Sequence, residues 1–405
     1  MREILVLAYP VILTQLSSTA MGVVDSAMVG RLGATELAGV GFGAVWIWTV
    51  FSLLFGTASG VQTFVAQADG AGRQRSCGQW AWHGGYALLP VSVIAVVALL
   101  PSIGPLLALA GPSPEMQAVV ASYVSARLVG EVGFTLVMVL TSFFRGIGDT
   151  RTPLYVTLGA NAVNAVLDYG LIFGELGLPR WGVAGAGVAT AVGHWVAAAA
   201  IFFAFRRRRL AERFDTRPVA PSAASIRRFL RTGAPIGGQW CIGMTSFALF
   251  TTVVARMGDA SMAASQAFLM LLSLSFMQAI GVSIAAATLV GRYIGADDLP
   301  AASRSFRSSI ALGAVLAGVV AVLFVALPGP LLRIFTDDPT VVSLGRPLLL
   351  LGALFQFFDA VAIISEGALR GAGDTRWTFV VQTALGWGFF VPLAYGLGVT
   401  LEGGL

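Results

Sequence analysis

The chain has 405 residues, of which 57% are hydrophobic and only 11% carry a charged side chain. Soluble domains are about 25% charged, so this composition excludes a soluble globular protein and indicates a membrane protein that crosses the bilayer many times. The net charge is +5, which membrane topology explains better than a nucleic-acid partner, and the two cysteines, Cys77 and Cys241, give no disulfide framework.

Eleven apolar runs are each long enough to cross a bilayer as a helix. The first run is too long for a cleaved signal sequence and leads straight into the fold. The expected fold class is therefore an all-α membrane protein. In chain order the runs cover residues 4–30, 38–66, 79–104, 117–143, 153–174, 183–206, 232–256, 262–291, 306–330, 341–367 and 378–400.

The arginines predict the orientation of these helices. With a cytoplasmic N-terminus, 19 of the 25 basic residues, all of them arginine, fall in cytoplasmic segments and five fall in outer loops. Nine of the 19 lie between residues 206 and 231. Because loops rich in arginine stay in the cytoplasm, we predict a multi-pass protein of the inner (plasma) membrane whose N-terminus is cytoplasmic.

The two halves of the chain repeat each other. The stretch SFFRGIGDTRTPLYV at 142–156 returns as GALRGAGDTRWTFVV at 367–381, an offset of 225 residues. The same offset places Pro10 on Pro235 and Arg31 on Arg256 without a gap. Both halves begin on the same side of the membrane, so we predict a parallel repeat, related by an axis along the membrane normal.

The repeat predicts two six-helix lobes. Residues 1–210 would form the N-terminal lobe with helices 1–6, and residues 232–405 the C-terminal lobe with helices 7–11. The segment 211–231 would be an arginine-rich cytoplasmic linker. By analogy with the first half, a twelfth helix is expected near 410–430, and it is missing from the chain, which ends at Leu405.

Five of the 20 acidic residues fall inside the apolar runs: Asp25, Glu131, Asp168, Asp359 and Glu366. A carboxylate inside a membrane-spanning helix is costly, and such residues usually face a protein interior or a water-filled cavity and mark ion or proton pathways. The two repeats do not share Asp25, Asp168 and Asp359, because none of them has an acidic counterpart at the 225-residue offset. These three carboxylates are therefore not residues of the repeated scaffold, and each belongs to one half only.

A cluster of oxygen-bearing residues is predicted in the N-terminal half. Helical rise places Asp25, Asp168 and Thr190 at a similar depth, about 8–11 Å below the outer boundary of the membrane. Asn164 lies one turn from Asp168 on the same helix face. The four side chains suit a cation such as Na⁺, and equally a proton held by two carboxyl groups. The alternative is that Asp168 only makes a hydrogen bond within a packed bundle.

The C-terminal half offers a separate candidate for substrate binding. Asp359 is flanked by aromatic residues, among them Phe355 and Phe358, and a carboxylate among aromatic rings suits an amphipathic cation. Gln239 and Gln278 are polar residues in spans that could line a cleft and bind substrate, although single polar residues in spans are more often packing or interfacial anchors. A second coupling site, or a structural hydrogen bond, explains Asp359 equally well.

Other polar residues in or beside the runs have structural explanations. Arg127 and Glu131 are four residues apart on one helix and are expected to neutralise each other. His194 lies one turn from Thr190, and a packing role is favoured over proton relay. Asp149 and Asp374, in the two RGxGDTR turns, are expected to cap the helices that follow.

The stretches MGVVDSAMVGRLG, RGIGDTRTP, NAVNAVLDYGLIFG and FFDAVAIISEGALRGAGDTR together resemble the multidrug and toxic compound extrusion (MATE) family of secondary transporters, over the whole chain. The resemblance implies two six-helix lobes with pseudo-twofold symmetry around a central cleft. It also implies export of cationic or amphipathic compounds in exchange for sodium or protons, with no cofactor beyond the coupling ion.

The resemblance assigns roles to individual residues. Asp25 matches the acidic position of helix 1, and Asn164, Asp168 and Thr190 match the cation or proton site of DinF-like prokaryotic members. Asp359 matches the acidic position of helix 10 in NorM-like members. Those members also carry a glutamate in helix 7 where this chain has Gly243, so coupling through the N-terminal half is favoured.

The sequence thus predicts an antiporter working by alternating access, with a small-molecule substrate, a bilayer environment, no nucleic-acid partner and a monomeric state. A lipid-linked oligosaccharide flippase shares the two-lobe plan, but it would prefer a cationic cleft. An intramembrane enzyme is disfavoured because the sequence has no HExxH, no GxSxG and only two histidines, His83 and His194. The duplicated lobes and unrepeated carboxylates also disfavour a channel.

Overall fold

The computed structural model describes residues 1–110, 113–255, 259–334 and 338–396, which are almost entirely helical. A π-helical turn, Gly386–Phe390, separates the last two helices. The helices are α1 (Arg2–Gly30), α2 (Ala34–Gly70), α3 (Arg75–Ala110), α4 (Pro114–Gly146), α5 (Arg151–Phe173), α6 (Val183–Phe205), α7 (Arg208–Phe214), α8 (Ala223–Ala255), α9 (Asp259–Gly295), α10 (Leu299–Ala326), α11 (Pro328–Arg333), α12 (Pro339–Ala372), α13 (Thr375–Leu385) and α14 (Val391–Tyr395).

Ten helical segments in the described part of the chain are long and apolar enough to cross a membrane. They coincide with ten of the eleven predicted runs, and α13, the π-helical turn and α14 together form the last of them, Thr375–Tyr395. The remaining run, 232–256, overlaps helix α8, which is not among the ten spans found in the described residues. Residues 397–405, on which the expectation of a missing twelfth helix depends, lie outside the described residues.

Both RGxGDTR turns cap the helix that follows them, as predicted. Asp149 Oδ1 accepts hydrogen bonds from the backbone N–H groups of Arg151, at 3.1 Å, and Thr152, at 3.0 Å. Its other oxygen accepts a bond of 2.6 Å from the Thr152 hydroxyl. Asp374 is the N-cap of α13 and accepts from the backbone N–H of Trp377 at 3.4 Å. These bonds satisfy N–H groups that have no partner within the helix.

The repeated turns also share their backbone conformation. Gly148 and Gly373 both adopt the left-handed conformation, with φ of 80° and 91°. A second pair at the same offset is Gly72, with φ of 69°, and Asp297, with φ of 59°. Left-handed backbone is easiest for glycine, and aspartate is among the few other residues that adopt it readily. The duplication thus extends from the sequence to individual turns.

The chain divides into two compact units whose boundaries differ from the predicted lobes. One unit comprises Met1–Ile12 with Gly238–Leu405, and the other comprises Leu13–Gly237. The two division points, after residues 12 and 237, are themselves separated by the repeat offset. Each unit therefore contains the beginning of the first helix of the other repeat.

Small residues allow these helix beginnings to pack closely within their units. In the second unit, a Cβ atom added to Gly56 would lie 2.7 Å from Gly237 Cα, and one added to Gly60 would lie 2.9 Å from Gly233 Cα. The two GxxxG pairs thus bring α2 and the start of α8 together. In the first unit the start of α1 joins a buried apolar cluster, in which Ala8 is 1% exposed.

The predicted linker at 211–231 is mostly helical and firmly packed within its unit. It contains the end of α7 and the first turns of α8, which leaves residues 215–222 between two helices. Trp82 Nε1 donates to the Thr216 carbonyl oxygen at 3.1 Å, and the Tyr86 hydroxyl donates to the Val219 carbonyl oxygen at 2.9 Å. Phe214 is 3% exposed. The arginine pattern of this segment did not predict these contacts.

We predict that Asp149→Ala lowers the free energy of unfolding by about 0.5–2 kcal/mol, because two N–H groups of the first turn of α5 lose their acceptor. The measurement is the thermal unfolding midpoint of purified protein in detergent. Asp149→Asn retains an acceptor and serves as the matched control. A midpoint for Asp149→Ala equal to that of the wild type would contradict the capping role.

Candidate ion-coupling site

The site is built around helix α6, whose sequence VAGAGVATAVGHW is rich in glycine and alanine. On one side of α6, a Cβ atom added to Gly187 would lie 2.7 Å from the Tyr123 carbonyl oxygen on α4. Two turns of α4 later, a Cβ atom added to Gly130 would lie 2.5 Å from Ala191 Cα. Side chains at these glycines would push the backbones apart, so α4 and α6 can touch only because glycine stands there.

The other side of α6 approaches α5 in the same way. A Cβ atom added to Gly185 would lie 2.6 Å from the Leu171 carbonyl oxygen, and one added to Gly193 would lie 3.3 Å from Asn164 Cβ. Asn164 and Asp168, one turn apart on α5, are 6% and 0% exposed. Because α6 has small residues on both of these sides, α4 and α5 both approach it closely, and their polar side chains lie near the same helix.

The centre of the site is a contact between two carboxyl groups. Asp25 of α1 and Asp168 of α5 lie within hydrogen-bonding distance of each other. Asn164 Nδ2 donates a hydrogen bond of 3.0 Å to Asp168 Oδ2. The structure therefore brings together three of the four residues predicted for this site.

Two oxygens of this carboxyl pair lack a donor. Asp25 Oδ1 and Asp168 Oδ1 are both buried, and neither accepts a hydrogen bond from any residue that the structure describes. Two ionised carboxylates in contact repel each other, and buried oxygen acceptors without donors are costly. A proton or a cation between the two groups would remove both penalties.

The fourth predicted residue, Thr190, is not hydrogen-bonded to the pair. Its hydroxyl donates to the Ala186 carbonyl oxygen of its own helix at 3.0 Å. Thr190 lies one turn before Gly193, which contacts Asn164, so it lies on the side of α6 that approaches α5. The hydroxyl oxygen keeps two lone pairs beside this hydrogen bond, so it can still act as an acceptor or a ligand.

Helix α4 contributes charged groups to the site. The Nε atom of Arg127 lies 3.4 Å from Glu131 Oε1, which confirms the predicted pairing of these two residues. Arg127 also donates a hydrogen bond of 2.6 Å to the Tyr123 hydroxyl and is close enough to interact electrostatically with Asp25. Asp25 therefore has a cationic neighbour from another helix, although its own apolar run supplies none.

His194 extends this network on α6. Its ring stacks on Phe134 with centroids 4.5 Å apart, and its Nδ1 atom lies 4.0 Å from Glu131 Oε1. Packing against Phe134 agrees with the structural role favoured from the sequence. The distance to Glu131 also places the imidazole next to the charged pair of α4.

Sequence reasoning missed the link between Arg127 and Asp25, and the part played by Tyr123. A signal was present, because Tyr123, Arg127 and Glu131 follow each other at four-residue spacing and so share one face of α4. The glycines that bring α4 to α6 could have indicated which way this face points. The spacing of these glycines alone, however, does not identify the helix that packs against α4.

The candidate substrate residues of the C-terminal half share one face of α12. Phe358 and Asp359 follow Phe355 by three and four residues. The rings of Phe355 and Phe358 are 51% and 64% exposed, and Asp359 is half-buried. Gln278 of α9 is also half-buried. The substrate-binding role of these residues stays a prediction.

Gln239 has a different environment, which argues for an architectural part. It is 1% exposed, and its Nε2 atom donates a hydrogen bond of 2.6 Å to the Thr378 hydroxyl. Its Oε1 atom accepts one of 3.2 Å from Arg370, which in turn is paired with Glu366. The amide thus joins α8, α12 and α13, and both of its ends are engaged.

We predict that Arg127→Leu lowers the free energy of unfolding by about 3–5 kcal/mol, because it leaves Glu131, which is 1% exposed, buried without its cationic partner. The double variant Arg127→Leu/Glu131→Leu removes both charges and should recover most of this loss. Thermal unfolding of purified protein in detergent measures both. A double variant as unstable as the single one would show that the ion pair does not explain the loss.

Comparisons with known proteins agree with this architecture. The MatE family model matches residues 10–170 and 235–395, two segments with the offset found in the sequence. The chain is 31% identical over 398 residues to a probable multidrug resistance protein NorM of Thermotoga maritima, covering 97% of this chain and 85% of that protein. It is also 31% identical over 404 residues to the multidrug resistance protein MdtK of Yersinia pseudotuberculosis, covering 98% and 88%.

Solved structures share the fold at lower sequence identity. A MATE structure in the bent conformation matches with a TM-score of 0.90 at 19% identity, covering 98% of this chain and 88% of that one. The eukaryotic MATE transporter AtDTX14 matches with a TM-score of 0.85 at 21% identity, covering 99% and 89%. The family match and the two full-length relatives together show that this chain belongs to the MATE family of membrane transporters.

Proposed function

We propose that the chain is a secondary active antiporter that exports cationic or amphipathic compounds in exchange for protons or sodium by alternating access. The observation that carries the proposal is the contact between the carboxyl groups of Asp25 and Asp168, each with one buried oxygen that lacks a donor among the described residues. The relatives named as multidrug resistance proteins support the substrate class.

In this proposal the carboxyl pair is where ion binding is converted into movement. When the pair is fully ionised, repulsion favours separation of α1 from α5. When one proton or cation lies between Asp25 and Asp168, the repulsion becomes attraction and the helices stay together. Because Asp25 is on α1 and Asp168 is on α5, ion binding alters how α1 is held.

A proton is favoured over sodium as the coupling ion. The donor end of the Asn164 amide faces Asp168, an arrangement that stabilises negative charge but supplies no oxygen to a metal. The Thr190 hydroxyl is engaged with Ala186. Sodium is a hard cation that needs several oxygen ligands, so it would require the Asn164 amide to turn its oxygen towards the site. A proton shared by two carboxyl groups requires no such change.

Pro10 gives α1 a point at which to bend. It lies inside the helix, where it removes a backbone hydrogen bond and weakens the turn before it. The residues of α1 up to Ile12 belong to one compact unit and those from Leu13 onward to the other. Asp25 and the weak turn at Pro10 thus lie on the same helix, and that helix has residues in both units.

Asp359, with Phe355 and Phe358 on the same face of α12, is proposed to bind the substrate. Exposed aromatic rings beside a carboxylate attract an organic cation through charge and cation–π interaction. Gln278 is proposed as a polar contact to the same substrate. The protein is further proposed to act as a monomer in the inner membrane with its N-terminus in the cytoplasm, as the arginine distribution predicts.

We predict that Asp25→Asn and Asp168→Asn each reduce gradient-driven efflux to background, because one remaining carboxylate cannot hold a proton between two groups. The assay reconstitutes purified protein into liposomes and follows a fluorescent cationic dye. Glu115→Gln alters an exposed carboxylate at the start of α4 and should leave efflux unchanged. Full efflux in Asp25→Asn, with the unfolding midpoint of the wild type, would disprove the coupling role.

We further predict that an inward proton gradient drives efflux in sodium-free buffer, and that a sodium gradient at equal pH on both sides does not. The reason is that Asn164 presents an N–H donor to Asp168 and so supplies no oxygen ligand to sodium. Each gradient is applied separately to the same batch of liposomes. Efflux driven by sodium alone would keep the site but reassign Asn164, Asp168 and Thr190 as cation ligands.

A further inference from the structure

A groove lies on the surface of the N-terminal repeat between α5 and α6, with a cavity volume of about 410 Å³. On α5 the lining residues recur at helical spacing from Thr152 to Val163. The other side runs from Val196 to Ala204 on α6 and ends at Arg207, two residues after that helix. We call it the α5–α6 groove. It is separate from the carboxyl pair, and the proposed transport cycle does not use it.

The groove is mostly apolar along its length. Gly159, Ala160 and Ala204 supply little or no side chain, so a channel remains between the two helices. A Cβ atom added to Gly159 would have no neighbour within 4 Å. Tyr155 stands on the rim and is 67% exposed. The shape and chemistry fit an extended hydrocarbon chain.

The length of the groove matches one leaflet of a bilayer. Thr152 and Val163 are eleven residues apart on α5, a helical rise of about 16 Å. The hydrocarbon core of a bilayer is about 30 Å thick, so one leaflet occupies about half of it. The groove begins at the first turn of α5 and the end of α6, the arginine-rich side that the sequence assigns to the cytoplasm. It therefore spans the depth of one acyl chain of the inner leaflet.

One end of the groove carries uncompensated positive charge. Arg207 lines this end and is exposed. Among the described residues no carboxylate lies within ion-pair distance of its guanidinium, whereas the next residue, Arg208, is paired with Glu212. The carboxylate beside this end, Asp149, is occupied by its three hydrogen bonds to the first turn of α5. An anionic head group would meet a free cation here.

From these observations we infer that the α5–α6 groove is a binding site for an anionic phospholipid of the cytoplasmic leaflet. One acyl chain lies along the small residues of the two helices. The phosphate lies against Arg207, and the exposed arginines of the same run, 206–209, strengthen the local attraction for anionic lipid. The ligand class follows from a cationic end joined to an apolar channel one leaflet long.

The experiment measures lipid retention by native mass spectrometry on delipidated protein in detergent, with phosphatidylglycerol or phosphatidylcholine of identical acyl chains added. The wild type should retain phosphatidylglycerol preferentially. Arg207→Gln should weaken that binding about fivefold, which corresponds to about 1 kcal/mol for one basic residue. Arg209→Gln removes an exposed arginine of the same run that does not line the groove, and should have a smaller effect.

A second variant tests the apolar part. Gly159→Leu places a side chain in the channel where nothing else stands, so it should reduce retention of both lipids while leaving the unfolding midpoint in lipid-free detergent unchanged. Equal losses in Arg207→Gln and Arg209→Gln would show a diffuse basic surface and overturn the site. Equal retention of the two lipids by the wild type, or undiminished retention by Gly159→Leu, would overturn it as well.

Discussion

The N-terminal half of this transporter is arranged around the contact of two carboxyl groups in an apolar setting. By insertion scales, an ionised aspartate at the centre of a membrane helix costs about 2.5–3.5 kcal/mol, and a second one in contact adds repulsion. Asp25 and Asp168 persist together because Asn164 donates to one of them and Arg127 is near the other. Neither partner donates to the two buried Oδ1 atoms, and in the proposed mechanism an ion takes this place.

This arrangement depends on how little space α6 occupies. Helix α6 lies between α4 and α5, and glycines on its two sides, such as Gly187 and Gly193, allow both neighbours to come close. The hydrophobic effect does not drive helices together inside a lipid bilayer, so van der Waals packing at close approach and polar contacts hold them together. The glycines thus do two things at once, because they stabilise the bundle and they bring the charged face of α4 towards the carboxylates.

Much of the fold could be predicted from the sequence, because long apolar runs and the RGxGDTR duplication are local signals. The carboxylates were also predictable, since a charged residue in an apolar run is conspicuous, and helical rise placed Asp25 and Asp168 at one depth. Pair contacts across helices were not predictable. The role of Arg127 depends on which way α4 faces, and the engagement of Gln239 by Thr378 and Arg370 depends on three helices meeting. The packing of the segment 211–231 was not predicted, because arginines dominate its sequence and only a few aromatic residues anchor it.

The exchange of helix beginnings between the two units has a consequence for how the chain is made. Ile4 and Ala8 are 2% and 1% exposed, and they are buried by residues such as Val282, Ala285 and Ile364. A ribosome synthesises these partners roughly 14 s or more after the N-terminus, at rates of about 5–20 residues per second. The beginning of the first helix therefore lacks its packing partners until most of the second repeat has been inserted into the membrane. Neither repeat, synthesised alone, would contain all the residues of its own compact unit.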